Sequence, residues 1–410
     1  MTADSEATGW SGPTRRTILR ALGAGATLAG VGAAGSSAQS AEPWTVVALP
    51  DTQFYAEDKT SYPRDQAEWI AAARDEENIA YVSHLGDVVE HGDDEAEWEH
   101  MSDSLAPLDG TVPYSTLPGN HDWASLGDRT SSIENYQQYF GPSRHEGEGY
   151  FGGAGPDDLN TYQLFSAGGY DFLHLALEWE VPGEIDDPST ALGWAQSVLE
   201  QYPDRPTIVT THSYLRDYPQ RRTLQVQEDN GIGTEGQTVW EKLIAPNSQV
   251  FMVLCGHWHR DDGEAHQVSS NDDGEEVYEL LSDFQNRSNG GYGLLRQVQF
   301  QPGEGGSEDD PDRIQVYTYS PSTDEFLEDA DSEFGFDLDF DARFGSASDG
   351  PLAGDADGDG DVDSDDVDAI QRSIAGEDVD INTEAADVDD DGDVDIGDAI
   401  RARNISEEGQ

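Results

Sequence analysis

Five short apolar segments of this chain each end in an Asp, Asn or His, and this pattern limits the folds open to it. The segments are rich in β-branched or aromatic residues and have the length of buried strands. They are WTVVALP (44–50), IAYVSHLG (79–86), VPYSTLPG (112–119), PTIVTT (206–211) and VFMVLCG (250–256). The residues that follow them include Asp51 and Gln53, Asp87 and Glu90, Asn120, His121 and Asp122, His212, and His257 and His259. One polar strand end is usually a turn or a helix cap, but five in one chain indicate a shared centre.

Segments with helical spacing lie between these runs. Residues 64–76 place Ala67 and Ile70 on one face, and residues 192–201 do the same for Leu192, Ala195 and Leu199. This alternation predicts an α/β domain. Because ligands bind at the carboxyl ends of strands in open α/β sheets, we expect the polar strand ends to converge.

The residue types at the strand ends indicate metal binding. Neutral imidazole suits Zn²⁺, Mn²⁺ and Fe, whereas carboxylate and amide oxygens suit harder ions. Three histidines, two aspartates and an asparagine are too many for one ion, but they suffice for two ions that share a bridging carboxylate. Two ions about 3.5–4 Å apart can clamp an in-line displacement at phosphorus, with a bridging water of lowered pKa as the nucleophile.

The blocks resemble those of the calcineurin-like metallophosphoesterases, whose pattern is D-x-H, G-D-x-x-[DE], G-N-H-[DE], a single His, and G-H-x-H. The corresponding residues here are Asp51-Thr52-Gln53, Gly86-Asp87-Val88-Val89-Glu90, Gly119-Asn120-His121-Asp122, His212, and Gly256-His257-Trp258-His259. Order and spacing agree over about residues 44–320, and four of the five blocks match fully.

The resemblance implies a fold and a set of residue roles. The fold is an α/β, four-layer α/β/β/α sandwich. Asp51 and His259 would bind one divalent transition metal, Asn120, His212 and His257 the other, and Asp87 would bridge them. His121 would act in catalysis without binding metal, by stabilising the transition state or protonating the leaving oxygen, alongside the catalytic ligands Asp87 and Asn120.

Gln53 departs from the family pattern, which has His at this position. A glutamine can bind a metal only through its carbonyl oxygen, a weaker ligand than imidazole. Secreted branches of the family that read LPDTQ share this residue, and LLSDFQ (280–285) resembles the same branch. Two interpretations stay open: Gln53 is a direct ligand, or it only supports the ligands. The expected ions are Mn or Fe, with Zn as an alternative.

Other polar residues near these blocks favour structural roles. His84 and His91 flank Asp87 and are expected to support the site or the fold, and His174 is expected to be a hydrogen-bonded core histidine. Three arginines follow His212, at Arg216, Arg221 and Arg222. They could hold a phosphate group, but the favoured interpretation is a solvated basic turn.

The charge of the chain excludes some functions. It has 85 acidic against 21 basic residues, a net charge of -64. This resembles proteins of extremely halophilic organisms, because at about 1 M salt the Debye length is about 3 Å and self-repulsion is screened. A nucleic-acid-binding face is not expected. The single cysteine, Cys255, excludes intrachain disulfides.

The N-terminus resembles a twin-arginine export signal. Arg15 and Arg16 precede an uncharged, Ala/Gly-rich stretch, and small residues suited to cleavage follow near Ala38 and Ala41. A weak membrane anchor is the alternative, although the stretch is short and rich in glycine. We expect residues 1–41 to be removed and the mature protein, without a transmembrane span, to be extracellular or at the cell surface.

The C-terminal region contains an acidic stretch followed by a repeat. Residues 322–353 are predicted to be a linker whose aromatics pack back on the domain of residues 42–321. DADGDGDVDSDD (355–366) and DVDDDGDVDIGD (387–398) then recur 32 residues apart. Alternate oxygens and a sixth-position glycine are typical of Ca²⁺-binding loops.

The repeat predicts two Ca²⁺ sites. Their ligands would be Asp355, Asp357, Asp359, Asp361 and Asp366 in the first loop, and Asp387, Asp389, Asp391, Asp393 and Asp398 in the second. A loop followed by one helix, twice, resembles a small all-α dockerin domain over residues 354–405. The resemblance implies a cohesin-like partner, although docking on the chain itself is an open alternative.

Two functions are compatible with these features. The first is an exported two-metal phosphoesterase, acting on phosphate esters and tethered through the dockerin-like module. The second is an inactive phosphoesterase fold that serves as an interaction protein. The paired Asn120 and His121 favour the first, because a non-catalytic relic has no need of His121.

Overall fold

The computed structural model describes residues 42–216, 220–222, 232–260, 262–303 and 311–345. In the C-terminal part it describes residues 354, 356–357, 362, 364–376, 379, 381–388 and 394–408. The predicted export signal over residues 1–41 lies outside these ranges. None of the helices in the described ranges combines the length and the apolar character needed to cross a bilayer.

The strands of the described residues are short and mostly buried. They are β1 (Trp44–Leu49), β2 (Ile79–His84), β3 (Tyr114–Ser115), β4 (Phe151–Ala154), β5 (Thr161–Ala167), β6 (Tyr170–Leu177), β7 (Thr207–Thr211), β8 (Val250–Cys255), β9 (Glu264–Ser270), β10 (Glu276–Ser282), β11 (Leu295–Gln301), β12 (Arg313–Ser320), β13 (Glu325–Leu327) and β14 (Glu333–Asp337). All five predicted strands are present, although the third is reduced to the two residues of β3.

The helices are α1 (Gln53–Glu57), α2 (Tyr62–Ala73), α3 (Glu95–Leu105), α4 (Glu134–Tyr139), α5 (Ala191–Gln201), α6 (Gly236–Val239), α7 (Phe340–Phe344), α8 (Ser364–Ile374), α9 (Thr383–Ala386) and α10 (Ile396–Glu408). A π-helical turn, Trp240–Ile244, continues α6. Both helices predicted from apolar spacing are present, as α2 and α5.

The strands form two sheets that each contain a parallel part. The first has the order β13-β12-β11-β1-β2-β3, with β14 paired to β12, and the second has the order β4-β5-β6-β7-β8-β10-β9. In the first sheet β1, β2 and β3 are parallel, and in the second β6, β7, β8 and β10 are parallel. Each parallel set therefore presents its carboxyl ends at one edge of its sheet.

Alternation along the strands places the two sheets face to face. Val46 and Ala48 of β1 pack in one hydrophobic core with Phe172 of β6 and Phe251 of β8. The intervening Val47 belongs to a different core, together with residues of α2 and α3. Because successive side chains of a strand point to opposite faces, β1 has the second sheet on one side and helices on the other.

The second sheet is covered by helices in the same way. Leu192, Ala195 and Leu199 of α5 pack with Leu173 and Leu175 of β6. The mixed α/β fold with two sheets is therefore as predicted, and its layers run helix, sheet, sheet, helix.

Polar residues also occur between the sheets, where they are hydrogen-bonded. His174 of β6 lies 2.8 Å from Thr210 Oγ1 through Nε2, and its Nδ1 lies 3.1 Å from both Tyr81 Oη and Gln163 Oε1. The side chain is fully buried, and burial lowers the pKa of His174 to about 3. The prediction of a hydrogen-bonded core histidine is confirmed.

A buried ion pair links the sheets. Arg296 of β11 donates from Nη2 to Glu264 Oε1 of β9 at 2.7 Å, and both side chains are buried. Glu264 Oε2 also accepts hydrogen bonds from Arg287 Nη2 and Ser332 Oγ, both at 2.7 Å. The carboxylate is thus saturated with donors, as a buried charge requires.

The prediction of a linker over residues 322–353 is wrong for residues 325–344. This stretch forms β13, β14 and α7, and β13 and β14 extend the first sheet by pairing with β12. Phe340 and Phe344 of α7 are buried in the core between the sheets, with the Phe344 ring 4.7 Å from that of Phe251. The aromatic residues pack back as expected, but through regular structure that belongs to the folded domain.

The described C-terminal residues have a small apolar core of their own. Ala356, Val367, Ile370 and Ala399 are buried in it, with contributions from α8, α9 and α10. Since its members are mostly alanines and valines, this core is too small to stabilise such a segment by itself.

We predict that Phe344→Ala lowers the free energy of unfolding by about 3–5 kcal/mol, because it removes a ring from the core between the sheets. Chemical unfolding at constant salt measures this, with Leu126→Ala as a control, because Leu126 is 64% exposed. An unchanged free energy in the Phe344 variant would mean that α7 does not belong to the folded domain.

His174 should make the fold sensitive to acid. Its pKa is about 3 in the folded chain and about 6.5 when unfolded, so the unfolded state binds one more proton between these values. Its contribution to stability is therefore complete above pH 6.5 and falls by about 1.4 kcal/mol per unit as the pH drops toward 3. We expect His174→Gln to lessen the slope of unfolding free energy against pH by that amount between pH 6 and 4. The slopes should coincide at pH 7–8, and equal slopes over the whole range would contradict the assignment.

Candidate metal centre

The side chains predicted to bind metal follow the parallel strands of both sheets. Asp51 and Gln53 follow β1, Asp87 follows β2, and Asn120 follows β3; His212 follows β7, and His257 and His259 follow β8. Asp51, Gln53, Asp87 and His212 are buried, and Asn120, His257 and His259 are partly buried. Asp87, His212 and His257 each offer one ligand atom within 4.8 Å of the others.

His212 has a fixed tautomer. Its Nδ1 lies 2.9 Å from the carbonyl oxygen of Leu85, which can only accept, so Nδ1 carries the proton. The lone pair of Nε2 then faces three further ligand atoms. These are Asp87 Oδ2 at 3.1 Å, Asn120 Oδ1 at 3.2 Å and His257 Nδ1 at 3.2 Å.

This grouping of lone pairs fits a cation. Oxygen and nitrogen acceptors at about 3.2 Å repel one another unless a proton or a metal ion lies among them. Burial lowers the pKa of His212, but the charge of Asp87 outweighs it and raises the pKa, so positive charge is favoured at this position. The set of one carboxylate, one amide oxygen and two imidazoles is a usual one for a divalent transition metal. Asn120, His212, His257 and Asp87 would therefore hold one ion.

A second group of ligands lies around Asp51. Both oxygens of Asp51 accept the backbone N–H of His257, at 3.4 and 3.1 Å. Gln53 donates from Nε2 to Asp87 Oδ2 at 3.2 Å, and its Oε1 is buried with no hydrogen-bond partner among the described residues. A buried amide oxygen without a donor is costly, and a metal ion would satisfy it.

The negative charge of the carboxylates around Asp51 also favours a bound cation. Burial raises the pKa of Asp51 well above its usual range, and the nearby charges of Asp283 and Asp87 raise it further. Within the described ranges, none of these three carboxylates forms an ion pair with Lys or Arg. Asp51, Gln53 and Asp87 thus fit a second divalent ion, which would compensate this charge. His259, the further ligand that the family pattern implies for this ion, lies against Asp283.

Two glycines allow the strand ends to approach each other closely. A Cβ at Gly256 would lie 2.0 Å from Asp51 Oδ1, and one at Gly119 would lie 2.1 Å from Asp87 Oδ1. Any other residue at these positions would displace a carboxylate of the centre. The glycines before Asn120 and His257 therefore serve packing at the site.

His121 lies beside the ligands and is held by the second strand end. Its backbone N–H donates to Asp87 Oδ1 at 2.9 Å, and its Nδ1 is 3.1 Å from Glu90 Oε2. Burial lowers the pKa of His121, but Asp87 and then Glu90 outweigh it and raise the pKa to about 10. The imidazole is therefore a proton donor at neutral pH.

Asp122 ties the second and third strand ends together. Its carboxylate accepts the backbone N–H groups of Val88 at 3.2 Å, Val89 at 3.0 Å and Gly119 at 2.8 Å. Burial, with the charge of Asp87, raises the pKa of Asp122 to about 7. These hydrogen bonds fix the loops that carry Asp87 and Asn120.

Sequence reasoning missed two residues at this site, Asp283 and Gln285. Asp283 Oδ2 lies 3.2 Å from His259 Nδ1, and Gln285 Nε2 donates to Asp283 Oδ2 at 2.9 Å. A signal was present, because the apolar run of β10 ends directly before Asp283, as in the other five blocks.

The other histidines near the blocks have structural roles. His84 is buried between Thr52 Oγ1 at 3.0 Å and the N–H of Gly86 at 3.2 Å. His91 lies 2.8 Å from Glu97 Oε1 at the start of α3. Both agree with the expectation that they support the fold around Asp87.

The prediction of a solvated basic turn is wrong for Arg221 and Arg222. Arg221 pairs with the buried Glu279 at 2.5 Å, with its guanidinium 3.9 Å from the ring centroid of Trp240. Arg222 is buried, pairs with Glu180 at 3.3 Å and lies 3.2 Å from His257 Nε2. Buried carboxylates distant in sequence draw both arginines inward.

Part of the predicted calcium loops is described. Asp366 and Asp398 are buried, and each accepts a backbone N–H from the start of its own loop, from Asp357 at 3.0 Å and Val388 at 2.7 Å. The predicted ligands Asp355, Asp359, Asp361, Asp389, Asp391 and Asp393 lie outside the described residues. Asp387, like Asp357, is described and lies at the start of its loop.

Known proteins show similarity over the same region. The uncharacterized protein YvnB of Bacillus subtilis (strain 168) is 32% identical over 313 residues, which cover 73% of this chain and 22% of YvnB. The chain thus spans less than a quarter of the length of that relative.

Two solved structures are similar at low sequence identity. Purple acid phosphatase PPD1 from yellow lupin (Lupinus luteus) seeds has a TM-score of 0.44 at 16% identity, over 74% of this chain and 55% of its own. GAP50, the anchor in the inner membrane complex of Plasmodium, has a TM-score of 0.40 at 12% identity, over 72% of this chain and 89% of its own.

A family model covers more than half of the chain. It is described as calcineurin-like phosphoesterase and matches residues 45–261, which include every predicted metal ligand from Asp51 to His259. The chain belongs to the calcineurin-like phosphoesterase family.

Proposed function

We propose that this chain is an exported, dinuclear metal-dependent phosphoesterase that hydrolyses phosphate mono- or diesters and is tethered through its C-terminal calcium-binding module. The observation that carries the proposal is the meeting of ligand lone pairs around Asp87. His212 Nε2 lies 3.2 Å from both Asn120 Oδ1 and His257 Nδ1 and 3.1 Å from Asp87 Oδ2, distances at which these atoms need positive charge among them.

The chemistry of the centre divides between the ions and the chain. When bound, two divalent transition metals, Mn, Fe or Zn, supply Lewis-acid charge and lower the pKa of a water molecule. His121, protonated and held by Glu90, donates a proton to the leaving oxygen. Asp122 keeps the loops of Asp87 and Asn120 in register while the reaction proceeds.

Basic side chains beside the centre support a phosphate-ester substrate. Trp258 lies between the ligands His257 and His259, and the guanidinium carbons of Arg216, Arg222 and Arg260 are 5.6, 5.1 and 5.7 Å from its ring centroid. On a chain with a net charge of -64, this local group of cations favours an anion next to the metal ligands.

Export and tethering rest on the ends of the chain. The Arg15-Arg16 pair and the small residues before Glu42 support export by the twin-arginine route, which would place the protein outside the cell or at its surface. Two acidic loops with buried closing residues, Asp366 and Asp398, support binding of two Ca²⁺ ions in a dockerin-like module. A cohesin-like protein is the partner that this module would take.

Hydrolysis tests the proposal against an inactive interaction protein. The purified full chain, loaded with Mn²⁺ in molar salt, should cleave p-nitrophenyl phosphate or its bis ester. A panel of nucleotides and phospholipids extends the assay to larger leaving groups. If the loaded protein cleaves none of these, the interaction function replaces the catalytic one.

His121→Ala should reduce turnover by about 100-fold or more, because it removes the proton donor and leaves the ligands in place. His100→Ala is the matched control, since His100 lies on α3, where its Nε2 contacts the carbonyl of Thr60. Steady-state kinetics and elemental analysis of bound metal check the pair. Full turnover in His121→Ala, or loss of its metal, would contradict the role assigned.

Removing the metals should destabilise the folded chain, because Asp51, Asp87 and Asp283 lose their compensating charge. With Ca²⁺ held constant, returning Mn²⁺ to chelated protein should raise the unfolding free energy, by about 2.7 kcal/mol at 100 times the dissociation constant. The gain should be lost in His212→Ala. A gain of equal size in that variant would place the ions elsewhere.

A further inference from the structure

A sixth strand end reaches the metal centre, and the family pattern does not include it. β10 is parallel to β8, with Leu281 opposite Cys255, so the chain leaves both strands at the same edge of the sheet. Asp283 therefore emerges beside the loop that carries His257 and His259.

The surroundings of Asp283 direct its carboxylate to His259. The side chain is fully buried, and its Oδ2 lies 3.2 Å from His259 Nδ1. Gln285 holds it from two sides, through its backbone N–H to Oδ1 at 3.0 Å and through Nε2 to Oδ2 at 2.9 Å. The same side-chain amide lies 2.5 Å from His259 Nδ1, so Asp283 and Gln285 contact this nitrogen together. Across the described ranges, Asp283 forms no ion pair with Lys or Arg, so its carboxylate can accept the Nδ1 proton of a neutral His259.

A carboxylate at Nδ1 decides which nitrogen of His259 is available. With the Nδ1 proton directed to Asp283, the lone pair of Nε2 is left for a ligand, and the ring is held in one orientation. The His259 side chain is 39% exposed. The orientation of the His259 ring therefore depends on its contact with Asp283. The ring of His212, in contrast, is buried and is held by the Leu85 carbonyl.

Gln53 makes this support important for one ion in particular. The ion held by Asn120, His212 and His257 has two imidazoles, whereas the ion held by Asp51 and Gln53 has only His259. An amide oxygen is a weaker ligand than the imidazole it replaces. Retention of that ion therefore rests on how well His259 is oriented and on the negative charge around it.

We propose that Asp283, fixed by Gln285, is a positioning residue that orients His259 and completes the metal site in which Gln53 replaces histidine. The proposal rests on the metal centre of the proposed function, but not on hydrolysis. The resulting site, with one imidazole among carboxylate and amide oxygens, favours a hard ion such as Mn²⁺ over Zn²⁺.

Metal retention tests the proposal without an activity assay. The full chain and its variants are stripped with chelator, incubated with MnCl2 or ZnCl2 in constant Ca²⁺, desalted, and analysed for bound metal, with affinities from calorimetric titration. Wild type should hold two ions per chain. Asp283→Asn should hold one tightly, and its affinity for the second should be about 10- to 100-fold weaker.

Asp273→Asn provides the matched control. Asp273 is exposed in the turn between β9 and β10, where its backbone N–H donates to Asn271 Oδ1 at 3.1 Å. It carries the same chemical change at a position not directed at His259. This variant should bind both ions as wild type does, and the stripped forms of both variants should unfold at similar denaturant concentrations.

A double-mutant cycle separates positioning from general structural damage. If Asp283 acts through His259, Asp283→Asn should cause no further loss of metal in a His259→Ala background. Unchanged affinity for both ions in Asp283→Asn would overturn the proposal. So would an equal loss in the His259→Ala background, or loss of both ions. A protein that binds two ions but hydrolyses no ester would defeat the proposed function and leave this inference standing.

Discussion

Three buried carboxylates at the junction of the two sheets are the constraint on which this structure depends. Asp51, Asp87 and Asp283 lie within electrostatic reach of one another, and burial disfavours their charged forms. Elsewhere in the domain, two buried glutamates are paired with arginine, Glu264 with Arg296 and Glu279 with Arg221. The three carboxylates of the centre have imidazoles and an amide oxygen as neighbours instead. This is an arrangement that a metal ion stabilises and that protein cations do not supply.

The two packed sheets bring these groups together. Two sheets share an aromatic core in which Trp44, Phe172, Phe300 and Phe344 are packed, and parallel strands in each sheet end at the same edge. Six of those strand ends deliver ligands or their supports. The ion pair of Glu264 and Arg296 also joins the two sheets. The spacing between the sheets is therefore fixed by both apolar and ionic contacts.

The acidity of the surface and the placement of the arginines are linked. With only 21 basic residues against 85 acidic ones, a long-range attraction for an anionic substrate is absent. Arg216, Arg222 and Arg260 concentrate positive charge around Trp258, within a few ångströms of the metal ligands. Attraction at this short range is screened by salt less than attraction over longer distances is.

The amino-acid sequence by itself determined the strands, the α/β class and the candidate metal ligands. Asp51, Asp87, Asn120, His212 and His257 could be named as candidates because each follows a buried strand. Local pattern also identified His174 as a core residue. These inferences needed only periodicity and the residue after each run, whereas the role of each candidate ligand came from the resemblance to the family.

Only the tertiary structure showed which residues from distant parts of the sequence contact each other. Asp283 joins the site because β10, and not β9, pairs with β8, and strand order cannot be read from hydrophobic periodicity. Arg222 is buried because Glu180 and His257 meet it from other elements, although its local sequence is that of an exposed turn. Residues 325–344 are acidic, yet they pair with β12 and bury two phenylalanines. In each case a contact distant in sequence outweighs the local preference, since the free energy of burial depends on what covers a residue and not on which residues precede it.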